Sequence, residues 1–198
     1  MAKQSKKFPL EDHSNVYLDE LLSENHRHTA IVGGAMIDTI LDSAIRCRLR
    51  VCQETDDLLG WNGGLGTCSA RIYFAYSTGL IGYLMHLELK IVNDIRNRFA
   101  HDVIVPDQHH QPTPISFETQ SIRDMCKKLK LPEIMAAIHL NPPLVPKTPQ
   151  HEFVMSVVAI VACLQKVVNG GQSGIIEASI CSDAAFSPDT ISEVIDAL

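Results

Sequence analysis

The residues best suited to chemistry lie in one run, Ile95-Arg96-Asn97-Arg98-Phe99-Ala100-His101-Asp102. An arginine stabilises charge on a phosphate, and a histidine moves a proton near neutral pH. Arg96 with His101 is therefore a pair suited to phosphodiester chemistry, and Asn97 shares a helical face with His101 four residues on. Regular geometry sets Arg96 and His101 about 140° apart around a helix. Their convergence needs the reach of the arginine or a distorted helix end. The competing reading is a polar helix terminus. Asp94 and Arg98 would then form an exposed i,i+4 pair, and His101 would sit where the helix dipole favours a cation.

Other chemistry-bearing residues are less organised. His101, His109 and His110 with Asp102 or Asp107 provide enough metal ligands, but the adjacent histidines stand in a proline-rich loop that fixes no geometry. No metal centre and no cofactor are expected. Gly60-Trp61-Asn62-Gly63-Gly64-Leu65-Gly66 holds four glycines in seven residues. Its spacing is not that of a P-loop and no Lys-Ser/Thr follows, so it reads as a tight interhelix connection. The six cysteines, at 47, 52, 68, 126, 163 and 181, form no C-x-x-C pair. They fit free packing thiols in a reducing, cytoplasmic setting, with Cys47 on the edge of an apolar stripe and Cys163 in an apolar helix.

Composition limits the function classes. The chain has 198 residues, 45% hydrophobic, with 17 Lys+Arg against 23 Asp+Glu and a formal charge of -6. That is enough to bury one real core. It excludes a uniformly basic nucleic-acid wrapper, though not a local basic site. Residues 1–9 are polar and Lys-bearing, with no apolar run behind them of the kind a secretory signal needs. The longest apolar run, Phe153 to Leu164, is shorter than the about 20 residues that span a bilayer.

Apolar residues recur at three- and four-residue steps, so the elements that position these groups are helices. The periodicity predicts them at about 15–22, 27–51, 67–78, 83–101, 117–130, 133–139, 152–168 and 187–197. The expected fold is an all-α, single-domain bundle of six to eight helices. Residues 1–13 form a flexible lead, 14–131 the core, and 132–198 a helical extension packed on it after a proline-rich linker. Within 83–101 the stripe Leu84, Leu87, Ile91, Ile95 and Phe99 is expected to face the core. Lys90, Asn93, Arg96, Asn97 and His101 are expected on the opposite arc. Glu88 projects toward the apolar side and needs a partner there, for which Arg71 is the candidate. The nearly all-apolar helix at 152–168 needs cover on several sides, either at the bundle centre or at a homodimer interface.

Two resemblances bear on function. Residues 25–131 resemble the mannitol operon repressor family of bacterial regulators. The resemblance is carried by His28-Thr29-Ala30-Ile31 through Leu41, by Leu59-Gly60-Trp61-Asn62-Gly63-Gly64-Leu65-Gly66-Thr67-Cys68-Ser69-Ala70-Arg71-Ile72, by Ala75-Tyr76-Ser77-Thr78-Gly79-Leu80-Ile81 and by Ile95 to His101. Ile115-Ser116-Phe117 and Ile122 to Cys126 also suit that family. More distantly, Arg96-Asn97 with His101 is similar to the R-x4-H motif of HEPN-type helical domains, many of which are metal-independent ribonucleases whose motif pairs across a homodimer. The first resemblance implies a cytoplasmic transcriptional regulator. The second implies catalysis by Arg96, Asn97 and His101. Arg71, Arg96, Asn97 and His101 are the binding residues expected under either.

The regulator reading meets a chemical difficulty. A helix-turn-helix reads DNA with basic residues on its second helix. The candidate turn at Gly79 to Gly82 precedes a helix with little basic character before Lys90. The clusters Arg46, Arg48, Arg50 and Lys127, Lys128, Lys130 read as solvated helix ends. Regulation is therefore expected to run through a protein partner or a ligand, with direct DNA or RNA binding left open.

Overall fold

The computed structural model describes residues 20–107, 111–137 and 146–170. Among these it contains seven helices and one two-stranded hairpin: α1 (His26–Arg46), α2 (Gln53–Leu59), α3 (Cys68–Ser77), α4 (Tyr83–His101), β1 (Ile104–Pro106), β2 (Pro112–Pro114), α5 (Gln120–Cys126), α6 (Leu131–Ala137) and α7 (Pro149–Gly170). The all-α bundle is as expected. The readings for residues 1–19, His109, His110, Cys181 and the helix at 187–197 lie outside the described residues.

The core is a layer of α1, α4 and α7. Ile37, Ile40, Leu41, Ala44 and Ile45 of α1 meet Met85, Leu89, Val92, Ile95 and Phe99 of α4 and Phe153, Val157, Ile160 and Leu164 of α7, all buried in one cluster. Phe99, Phe117 and Phe153 form a tilted aromatic chain through it, with centroids 4.9 and 5.3 Å apart. Such contacts add directional packing to the burial of their area. Helix α7 fills the central role that its nearly all-round apolar sequence requires. It extends beyond the expected 152–168 to 22 residues, with Pro149 in its first turn, where a missing N–H costs nothing. By length and composition it matches a membrane span, but most of it is buried inside the bundle.

Local chemistry explains the boundaries. The Asn25 side chain accepts from the His28 N–H and starts α1, and Thr67 accepts from the Ala70 N–H and starts α3. Helix α3 ends in a Schellman motif. Leu80 N–H donates to Ala75 O and Gly79 N–H to Tyr76 O, with Gly79 at φ 72°, a conformation a Cβ would strain. The chain then turns back, and α4 packs along α3.

Several expectations are corrected. The helix expected at 27–51 ends at Arg46, and the separate helix α2 follows, with Glu54 and Asp56 in its first turn favouring the positive dipole end. The helix expected at 117–130 is only α5, because Ser116 and Thr119 close a turn first: Thr119 Oγ1 accepts from Ser116 N–H and Ser116 Oγ from Glu118 N–H. The proline-rich stretch expected as a loop is paired, with Ile104 opposite Pro114, Val105 opposite Thr113 and Pro106 opposite Pro112. Prolines are tolerated there because each strand has only one neighbour. Cys47 and Cys52 are exposed, whereas Cys126 and Cys163 are buried as expected.

Helix α4 turns a different face to the core from the one expected. Its buried positions are Met85, His86, Glu88, Leu89, Val92, Asn93, Ile95 and Phe99, while Leu84, Leu87 and Ile91 are only partly buried. The true core face is thus rotated from the expected one. The cause is cover from several sides: α4 packs against α1, α3, α5 and α7, so its apolar stripe is one flank of a wide buried arc. Arg96 moves with that rotation, out of the exposed arc and onto the side facing α1.

Candidate functional site

The C-terminal half of α4 places the expected site residues on two different faces. Asn97 and His101 line a shallow groove of about 590 Å³ with Asp94, Arg98, Asp102, Ser121 and Met125. Arg96 does not line it. Its aliphatic stem lies on Gly34 of α1, so close that any Cβ at position 34 would overlap Arg96 Cγ, and its Nη1 donates to Asn97 Oδ1 at 2.9 Å. The glycine is required by that approach of two helices. Within one chain, then, Asn97 and His101 share a site and Arg96 reaches it only through Asn97.

Arg98 is the cation that faces the groove. Its Nε pairs with Asp102 Oδ2 at 3.0 Å, and Nη2 donates to Ser121 Oγ at 3.4 Å. The expected Asp94–Arg98 pair is replaced by this one, which lies at the helix end. The expected role of His101 at the helix terminus is also taken by another residue. Arg27 of α1 donates to Phe99 O and, at 2.8 Å, to Asp102 O, so a cation from a neighbouring helix satisfies the carbonyls and the dipole there. His101 is left exposed. The groove's fixed charges are two carboxylates, Asp94 and Asp102, against one guanidinium. That balance opposes a phosphodiester unless another surface contributes cations.

Arg71 is placed elsewhere. It is 8% exposed, and donates to Asp38 Oδ1 at 2.8 Å and to Leu59 O at 2.8 Å, with Asp42 Oδ1 at 3.2 Å. It ties α3 to α1 and closes the C-terminal end of α2. Asp42 also holds Arg46, which reaches Asp56, so the expected Asp42–Arg46 pair belongs to a larger network. Arg71 is not the partner of Glu88. That carboxylate, 1% exposed, accepts from the backbone N–H groups of Lys130 and Leu131 and from Ser156 Oγ at 3.2 Å. It joins α4 to the start of α6 and to α7. Burial pushes its pKa up, and these donors pull part of the way back.

Three thiols are held in the protonated form by their surroundings. Burial pushes Cys68 and Cys126 up to about 12 and Cys163 to about 11, with Asp38 adding to the effect at Cys68. Among the described residues no group of three or more His, Cys, Asp and Glu could hold a metal.

Sequence reasoning missed one surface, the seam between α3 and α4. The His86 ring stacks on Tyr76 at 4.4 Å and lies 5.7 Å from Tyr73, Tyr83 lies 6.4 Å from Tyr76, and Lys90 Nζ stands 5.7 Å over Tyr73. The three tyrosines are exposed. Burial first, and Lys90 second, lower the pKa of His86, which favours a neutral ring. The available signal was the i,i+3 spacing of Tyr73/Tyr76 and Tyr83/His86 on two helices joined by a short turn.

Compared with protein-family models, curated proteins and solved structures, the chain matches none.

Proposed function

We propose that the protein is a cytoplasmic, non-catalytic transcriptional regulator of the mannitol operon repressor type, a homodimer acting through a protein partner or a regulatory ligand. The observation that supports this over catalysis is the divergence of Arg96 from His101. The arginine packs on Gly34, and the groove holding His101 carries more acid than base. The residues of the resemblance have structural work instead: Thr67 caps α3, and Arg71 links three helices. The α3–α4 turn is a poor DNA reader. Helix α4 is a core helix, and the exposed seam it shares with α3 offers Lys90 among tyrosines.

Deleting the gene should raise transcription of a mannitol transport operon, and His101→Ala should restore repression as well as the wild type does. Unchanged transcript levels in the deletion strain would sink the regulator. The protein alone should show no preference for its operon's upstream DNA across salt concentrations.

One observation favours a second reading: Asn97 and His101 do share a groove, with Arg98 beside them. A metal-independent ribonuclease would then need Arg96 brought to His101 at a dimer cleft. Chelator-resistant cleavage of RNA, lost in both Arg96→Ala and His101→Ala, would establish it in place of the regulator.

A further inference from the structure

The chain's single tryptophan is held in water. Trp61 is 89% exposed, and Leu58, three residues earlier, is 37% exposed. An indole ring left there forgoes a large gain from burial, and tryptophan is prominent among the anchors of protein interfaces. The loop that carries it is tightly constrained. Gly63 N–H donates to Gly60 O at 2.9 Å, Leu65 N–H to Leu58 O at 2.9 Å and Gly66 N–H to Gly63 O at 3.0 Å. Leu65 is buried and anchors the loop to the core. At Gly63 the backbone lies against the carbonyls of Asp57 and Leu58 with no room for a Cβ. The ring is therefore presented by a fixed turn, and little backbone entropy remains to be lost on docking.

The charges beside this knob that stand outside ion pairs are acidic, since the two arginines that reach α2 are committed, Arg46 to Asp42 and Asp56, and Arg71 to Asp38, Asp42 and Leu59 O. Between Arg50 and Arg71 there is no Lys or Arg, while Glu54, Asp56 and Asp57 lie on α2, beside the loop. Asp56 is paired with Arg46, whereas Glu54 and Asp57 are exposed. A second copy docking here symmetrically would set acid against acid, and an anionic membrane surface would be repelled.

We propose that Trp61 and Leu58, on the α2–α3 loop, dock a protein partner that offers an apolar pocket edged by Lys or Arg. The proposal rests on the partner-mediated reading of the function and gives that partner a surface.

The full chain carrying a benzophenone amino acid in place of Trp61 is photo-crosslinked in an extract of its own cells, and the adduct is identified by mass. The purified partner is then titrated by calorimetry against wild type, Trp61→Ala and Asp57→Lys at rising salt. The expected result is an adduct with a different protein, whose binding weakens at least tenfold in Trp61→Ala and severalfold in Asp57→Lys and in high salt. An adduct with no protein or only with a second copy overturns the proposal. So does binding indifferent to Trp61→Ala, or a blue shift of Trp61 fluorescence on vesicles of phosphatidylserine and phosphatidylcholine. A partner that binds through another surface removes this docking site and leaves partner-mediated regulation standing. Preference for operator DNA by the protein alone removes that regulation.

Discussion

Glu88 shows how much a single residue's role depends on groups the sequence leaves far apart. Its inward direction was legible from helical phase, but its partners were not. They are backbone amides 42 and 43 positions away and a serine on α7, and a donor set that includes main chain has no sequence signature. The sequence offered Arg71 on the preceding helix, and Arg71 is already committed to Asp38, Asp42 and Leu59. Glu88→Ala should cost about 2 kcal/mol in denaturant unfolding, since it leaves the Lys130 N–H and the Ser156 hydroxyl without an acceptor. Glu88→Gln keeps an acceptor for the amide and should cost far less. The folded protein raises the pKa of Glu88, so it binds this proton more tightly than the unfolded chain does. The contribution is complete below the ordinary carboxylate value and is lost as pH rises through the raised one. Unfolding free energies of wild type should therefore fall relative to Glu88→Gln across that interval. Parallel pH curves for the two proteins would refute this.

Between elements, the sequence conveyed type better than boundary or rotation. Long periodic helices, α1, α4 and α7, were legible because the 3.6-residue pattern accumulates over many turns. Helix α2 and the hairpin were not, since seven residues or two proline-bounded strands hold too few periods. The rotation of α4 is not legible for a related reason: a helix covered from several sides has no single apolar stripe to read. That rotation decides the site, because it sends Arg96 to Gly34 and leaves His101 in the groove. The α1–α4 contact can be tested directly. Gly34→Ala should destabilise the protein by about 1–2 kcal/mol, because overpacking against Arg96 outweighs the better helix propensity of alanine. The cost should shrink by about 1 kcal/mol when Arg96→Ala is already present. Additive losses in that double-mutant cycle would show that the arginine stem is not what position 34 must clear. Thr67→Ala should cost about 1 kcal/mol by removing the α3 cap, with thermal unfolding as the measurement.

At the scale of the whole molecule, the question is whether the segment after Pro132 is an addition to a core or part of it. The sequence places a proline-rich linker ahead of the apolar helix at 152–168 and a family-like region that stops near 131, with the extension expected to pack on that core. The packing argues for unity. Phe153 continues the aromatic chain of Phe99 and Phe117, Ser156 completes the shell of Glu88, and Val157, Ile160 and Leu164 lie buried in the same cluster as α1 and α4. Removing α7 would expose the faces of α1 and α4 that it covers, and burial at about 25 cal/mol per Å² over several large side chains exceeds the net stability of an ordinary domain. A chain ending at Leu131 should therefore lose its cooperative thermal transition and bind ANS, while keeping much of its helical circular dichroism, as a compact state without fixed packing does. Adding a peptide of residues 146–170 in excess should restore a cooperative transition, because α1 and α4 present the complementary surface. A sharp unfolding transition in the chain ending at 131 would make residues 14–131 an autonomous domain and α7 an accessory to it.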